Sequence, residues 1–445
     1  MYSWGLKPPP NKREVNLMRL ELGNIFIKDL QFGEATKVEN GVLFVNKEEL
    51  LEAVGGDNRI ASIEVDIAKP GEETRIMPVK DVIEPRVKVE GPGGIFPGFI
   101  NKVDVVGSGK THVLKGAAVV TAGKIVGFQE GIIDMSGPGA EYTPFSKTNN
   151  LVLVCTPVDN LPQHEHEQAV RMVGLKAAAY IGEAGRNVEP DEVKVYETLP
   201  VFEGAKKYPD LPKVAYVYML QTQGLLHDTY VYGVDAKKIV PTLIYPTEVM
   251  DGAIVSGNCV SACDKNPTYN HLNNPIIEDL YERHGKDYNF VGVIITNENV
   301  TLADKERSSN WTAKLAEYLG LDAVIVSEEG FGNPDTDLMM NCKKITAKGI
   351  KTVLVTDEYA GRDGASQSLA DADKAADAVV TAGNANEIIE LPAMKKVIGD
   401  LKPADVIAGG FAGSLKPDGS IVAELQVITG ATSEIGFNKL SATQY

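Results

Sequence analysis

Apolar and polar positions change texture twice along this chain. From Arg19 to about Asn150, short runs such as Gly41–Asn46 (GVLFVN), Ile60–Ile67 and Val82–Val89 alternate and are broken by Gly and Pro pairs. The alternation predicts a mostly β region over residues 18-150, interrupted by one small helix at Lys47–Val54. At Leu151 the texture shifts to LVLVC, a continuous apolar run of the kind a strand buried on both faces carries. Helical spacing follows from about Gln163 to Ala184, with Val170, Val173, Leu175, Ala178 and Ile181 on one side. Val214–Leu220, Thr229–Val234 and Ile239–Tyr245 then read as strands, so residues 151-285 are expected to form an αβ segment.

The second shift comes near residue 286. Phe290–Thr296, Ala323–Ser327, Thr352–Thr356 and Ala378–Thr381 are short strands rich in Val. Helical patterns at about Ala303–Leu319 and Asp335–Lys348 separate the first three, and Gly320 and Gly349 follow them as C-terminal caps. The overall class expected is α/β, with a doubly wound, Rossmann-like parallel sheet over residues 286-445. No G-x-G-x-x-G follows the first strand, so a nicotinamide dinucleotide is not indicated. The strands run into Asn297-Glu298, Glu328-Glu329 and Asp357-Glu358. Such ends form the ligand crevice of a parallel sheet, which makes Glu298, Glu329 and Asp357 candidates for an acidic, cation-binding rim. The competing reading is that acids simply suit loops and helix N-termini.

Composition narrows the classes. A chain of 445 residues is too long for one core, so two or three domains are expected. Its 61 acidic and 44 basic residues give a net charge of −17, which argues against nucleic-acid or anionic-membrane partners. Four scattered cysteines (Cys155, Cys259, Cys263, Cys342) are too few for a disulfide framework and suit a reducing, cytoplasmic setting. No apolar run reaches membrane-spanning length. Residues 1-17, with Pro8-Pro9-Pro10, lack a signal-peptide core and read as a disordered tail or an extended start, with Met18 as the alternative initiator.

Three motifs invite chemistry they do not support. Gly107-Ser108-Gly109-Lys110-Thr111 is no P-loop, because Asp104 stands where the first glycine belongs; a turn between strands is expected. His164-Glu165-His166-Glu167 places its histidines on different helix faces and reads as a solvated first turn. Cys259 and Cys263 are spaced C-x3-C with only His271 nearby, too few ligands for a zinc or iron–sulfur site, so no metal is assigned.

The remaining stretch, Asp251–Asp264 (DGAIVSGNCVSACD), holds Cys259 behind Gly257-Asn258. A glycine followed by a turn-tolerant asparagine lets the chain bend sharply, and a thiol in such a turn can attack the neighbouring carbonyl and exchange an amide for a thioester. β-Elimination, tautomerisation and hydrolysis then break the chain between Asn258 and Cys259 and leave a pyruvoyl group, an electrophilic ketone. The bland alternative is a small buried hydrophobe or inert thiol.

SGNCVSACDKNPTYNHLNNP and the preceding YMLQTQGLLHDTYVYGVDAKKIVPTLIYPTEVMDG closely resemble the component B proprotein of the glycine, sarcosine and betaine reductases. The resemblance extends from MRLELGNIFIKD at Met18 through KDVIEPRVKVEG, GSGKTHVLKGAAVVT and GFQEGIIDMSGPG to TDEYAGRDGASQSLADAD, and it looks most like the glycine version. It implies cleavage at Asn258/Cys259 and a pyruvoyl cofactor derived from Cys259 that takes the substrate amine as a Schiff base. It also implies partners: a selenocysteine-containing large subunit of component B, and the selenoprotein component A, which attacks the α-carbon on the way to acetyl phosphate and ammonia with electrons from thioredoxin. Sarcosine and betaine versions look alike around Cys259, although the quaternary nitrogen of betaine cannot condense with a ketone. A pyruvoyl-dependent decarboxylase and an unprocessed, non-catalytic binding subunit stay open as other classes.

Overall fold

A computed structural model describes residues 17–223, 229–257, 261–362 and 373–435, and the backbone of 441–444. Residues 1–16, and with them most of the expected tail, lie outside the described residues, as do Asn258 and Cys259. The architecture is mixed α/β with several sheets.

The N-terminal stretch is strand-rich, as its alternation predicts. Helix Lys47–Val54 forms where expected: the Asn46 side chain accepts from the Glu48 and Glu49 amides at 3.0 and 3.1 Å, holding its first turn. The run Val82–Val89 divides into strands Thr74–Ile83 and Arg86–Glu90, because Pro85 cannot donate to a ladder. The Gly107–Thr111 motif opens strand Gly109–Lys115, and Gly107 (φ +96°) approaches the backbone of Thr247 and Glu248 so closely that a Cβ would clash.

A six-stranded sheet is built on the order Gly131–Asp134, Thr74–Ile83, Ala117–Gly123, Asn149–Pro157 and Ile60–Ala68, with Lys396–Gly399 added alongside Thr74–Ile83. Helix Gln163–Glu183 covers it. Val170, Val173, Leu175, Ala178 and Ile181 are all buried in the core, as their spacing requires. At its end, Gly182 meets the Arg86 carbonyl so closely that a Cβ would stand 2.1 Å from that oxygen.

The seven-stranded sheet runs Thr242–Ile244, Asn289–Asn297, Lys213–Leu220, Ala323–Ser327, Lys351–Glu358, Ala378–Asn384, Ser441–Gln444. Its five central strands are parallel and its two edge strands antiparallel. Helices Leu302–Leu319 and Asn333–Thr346 fill one face through Ala313, Ala316, Leu338, Cys342 and Ile345. Helix Pro275–Arg283 fills part of the other through Ile277 and Leu280. The sheet is not confined to the expected C-terminal unit: it takes Lys213–Leu220 into its middle and Thr242–Ile244 at its edge, so it spans residues on both sides of 285. Strand Lys213–Leu220 is buried on both faces from Val214 to Leu220, which suits a central place.

Residues 385–435 turn back onto the N-terminal half. Lys396–Gly399 joins the six-stranded sheet, and Thr429 donates its amide to the Ile132 carbonyl at 3.0 Å. This return brings residues 430–434 over the carboxyl ends of the parallel strands, where Gly430 and Thr432 bond the carbonyls of Ala262 and Cys263.

Candidate functional site

The stretch around the predicted cut is held firmly on both sides. Upstream, Asp251 is buried and accepts from Thr111 Oγ1 (2.6 Å) and the Gly107 amide (2.7 Å), and it pairs with Lys88. Strand Ile254–Ser256 pairs with Thr229–Val231, and the Ser256 amide donates to Thr268 Oγ1 at 3.0 Å. Downstream, residues 261–266 run between the strand ends of the seven-stranded sheet and the returning 430–434 segment.

Beside Ser256 and Gly257 lies a small cavity of about 10 Å³, room for one water, lined also by Lys80, Asp81, Thr121, Glu167, Val170 and Arg171. Its charges are buried and mutually paired. Lys80 Nζ meets Glu130 at 2.7 Å and Arg171 meets Glu167 at 3.0 Å. Asp81 accepts from the Thr268 amide and hydroxyl at 2.9 and 2.7 Å, and Lys265 Nζ donates to the Lys80 carbonyl. Burial pushes Glu167 up to about 7, against the pull of Arg171, Lys265 and Lys80. Burial likewise lowers His166 to about 4. The reading of His164–Glu167 as a solvated turn is therefore half corrected: His164 and Glu165 are exposed, whereas His166 and Glu167 face inward. Arg171, one turn along the same helix, supplies the partner that lets Glu167 be buried.

On the other side lies a group of a different kind. Asp264, Glu298, Glu328, Glu329, Asp357 and Glu434 are each no more than 2 % exposed. Thr432 Oγ1 donates to both Asp264 and Asp357 at 3.0 Å, and the Cys263 thiol donates to Asp264 at 2.7 Å. The Asn266 amide donates to Glu329 (2.8 Å), the Glu329 amide to Glu298 (2.7 Å) and the Gly330 amide to Glu434 (3.0 Å). Burial, then the negative charges of Asp357, Asp264 and Glu328, raises Glu434 well above the carboxylate range. Burial raises the Cys263 thiol too, with Asp264 and Asp357 adding to it, so it is no thiolate at neutral pH.

The structure thus brings Glu298, Glu329 and Asp357 together, but beneath residues 262–266 and 430–434, as a buried floor and not an open rim. Cys263 Sγ and one oxygen each of Asp264 and Asp357 lie within 4.8 Å of one another, a spacing a single cation can bridge. His271 is not part of that group; its Nδ1 is 2.6 Å from Tyr218 Oη. A groove of about 460 Å³ along Ile325, Val353, Val355 and Val380 reaches Glu434 and Ile435. Sequence reasoning missed Glu434, Thr432 and the whole paired cluster around Glu167. No motif marks them, and their chemistry arises from packing between distant segments.

The described model of glycine/sarcosine/betaine reductase component B subunits matches residues 18–443. The chain belongs to this family. It is 77% identical over 430 residues to the glycine reductase complex component B subunits alpha and beta of Acetoanaerobium sticklandii, covering 96% of this chain and all of that protein. Its identity to the sarcosine reductase complex component B subunit alpha of Peptoclostridium acidaminophilum is 64%, again over 96% of this chain and all of the relative. A more distant relative, 23% identical over 76% of this chain and 55% of its own length, is the D-proline reductase proprotein PrdA of Acetoanaerobium sticklandii. No solved structure matches. Among the described residues of this component B chain, no helix is long and apolar enough to cross a membrane.

Proposed function

We propose that this chain is the proprotein of the substrate-binding component B of a glycine reductase, cut between Asn258 and Cys259. The C-terminal piece, residues 259–445, then begins with a pyruvoyl group. That group supplies an electrophilic ketone, which condenses with the substrate amine and draws electrons from the α-carbon–nitrogen bond. One observation carries the reading: the segment Cys263–Asn266, four residues past Cys259, carries buried Asp264 and lies against a group of buried carboxylates, with Glu329 accepting from the Asn266 amide and Asp357 bridged to Asp264 by Thr432. Glu298, Glu329 and Asp357 would stabilise positive charge on the substrate nitrogen, with Asp264 and Glu434 close by, in a site shielded from water where each charge counts for more than it would in solution. The relatives' names favour glycine over sarcosine, and the naming of PrdA as a proprotein supports cleavage. Selenoproteins of the same complex would act as partners.

Intact-mass analysis tests the first half. The wild type gives two pieces, the C-terminal one blocked to Edman degradation, and Cys259→Ala stays a single chain of 47.9 kDa. Normal maturation of Cys259→Ala defeats the assignment. Borohydride trapping of labelled glycine tests the second half. Glu298→Gln should mature normally yet trap about tenfold less glycine, since one well-placed charge contributes on the order of 1–3 kcal/mol. Unchanged trapping in Glu298→Gln, Glu329→Gln and Asp357→Asn alike would remove the acids from the site.

A further inference from the structure

A cut between residues 258 and 259 divides a chain in which two sheets each draw strands from both sides of it. Residues 1–258 supply Lys213–Leu220 and Thr242–Ile244 to the seven-stranded sheet, and residues 259–445 supply its other five strands. The downstream piece in turn supplies Lys396–Gly399 to the six-stranded sheet, whose other strands lie upstream. Resting on the reading above, we propose that the matured protein is an interleaved pair of pieces: the chain must fold before it is cut, and once cut the pieces neither part nor exchange with those of another molecule.

The exchanged strands are not marginal ones. Lys213–Leu220 lies parallel between Asn289–Asn297 and Ala323–Ser327 and pairs with both, so without it the downstream sheet splits into two parts with open edges. Its side chains cross the divide as well. Tyr216 Oη lies 2.5 Å from Ser327 Oγ, and Tyr218 Oη lies 2.6 Å from His271 Nδ1, all four residues being fully buried. Just beyond the strand, the Leu220 carbonyl accepts from the Glu298 amide at 3.1 Å, Gln221 Nε2 donates to the Glu329 carbonyl at 3.1 Å, and Thr222 Oγ1 donates to the Glu298 carbonyl. The six buried carboxylates all belong to the downstream piece, yet the backbone of two of them is held by the upstream one. In the other direction, buried Arg75 donates to the Pro392 carbonyl at 3.0 Å, and Asp81 accepts from the amide and hydroxyl of Thr268.

Parting the pieces therefore means drawing one strand from the middle of one sheet and another from beside Thr74–Ile83 in the same event. Both ladders and both apolar faces open at once, which makes parting as slow as global unfolding. The cut also changes how the fold can be reached. In the intact chain the strands that must pair are tethered and meet within one molecule. In the cut protein they meet only by collision of two chains, each lacking strands that its own sheet needs, and the high effective concentration is lost. A fold so shared has to be in place first.

Exchange between isotopically heavy and light matured protein, mixed under native conditions and read by native mass spectrometry, tests the pairing. Fewer than about one pair in twenty should be hybrid after a day, since parting requires global unfolding. Random mixing overturns the proposal. Refolding tests the order of events. After unfolding in guanidinium and dilution, the uncut Cys259→Ala chain should recover at least about tenfold more native protein than matured wild type at the same concentration, because only the former keeps its tether. Equal recovery overturns the claim that folding must come first. Denatured wild type shows separately whether the reading beneath the proposal holds: a single mass of 47.9 kDa means that no cut occurs. In that case a protease-recognition sequence placed after Asn258 in Cys259→Ala supplies the cut, and the same exchange experiment decides the interleaving on its own.

Discussion

Two buried charged regions flank the same short stretch, and they differ in charge balance. On the Gly257 side, Lys80, Arg171 and Lys265 meet Asp81, Glu130 and Glu167, so the cluster balances itself. On the Cys263 side are six carboxylates, approached at their margin by Lys265, whose charge is felt by Glu329. A balanced cluster is stabilised by its own pairs, and removing one member leaves a buried charge behind. An all-acid cluster is held apart by repulsion unless protons or an incoming cation neutralise it. The first arrangement is complete in itself, whereas the second is balanced only by protons or by a cation.

Neutralising one member on each side probes this contrast most strongly. Lys80→Met removes the buried ion pair with Glu130 and should cost about 3–5 kcal/mol in chemical denaturation. Glu434→Gln removes a carboxyl that burial and Asp357 already drive toward its neutral form, and should change stability by less than about 1 kcal/mol at pH 7. Equal losses in the two variants would erase the distinction between the regions.

pH sharpens it further. Glu167 has an ordinary value near 4.5 in the unfolded chain and about 7 when folded. As pH rises between those values the unfolded state gives up its proton first, so folding stability declines across that window and levels off above about 7. The loss amounts to roughly 3 kcal/mol from this group. Glu167→Gln should flatten that part of the stability profile. A profile with the same slope in the variant would place the titration elsewhere.

What the residue pattern revealed, and what it hid, follows from how local each cause is. Helix Lys47–Val54 and strand Ala323–Ser327 were legible to the residue, because a cap or an apolar run acts within a few positions. The acids at the strand ends were legible too, since a parallel sheet dictates where its carboxyl ends lie. Their burial was not. It depends on residues 430–434 returning from more than 70 positions beyond Asp357. The inward turn of His166 and Glu167 was equally hidden, because it depends on Arg171 and on the six-stranded sheet beneath. The central place of Lys213–Leu220 in the later sheet likewise needs partners about 75 and 110 residues ahead.

The smallest effect expected concerns the second cysteine, and it marks the edge of the acid region. Cys263 lies four residues after Cys259, fully buried, with its thiol donating to Asp264 and its thiolate disfavoured by burial and by Asp264 and Asp357. A thiol so placed is a poor nucleophile at neutral pH. Cys263→Ala should therefore leave cleavage unchanged. It should cost on the order of 1 kcal/mol, for a small void and one lost weak hydrogen bond. Alkylation of the folded Cys259→Ala chain by iodoacetamide should likewise be slow at Cys263. Rapid alkylation there would mean that a thiolate survives among the carboxylates. A cation would then have to be present to hold it, and the acid region would carry a resident positive charge before any substrate arrives.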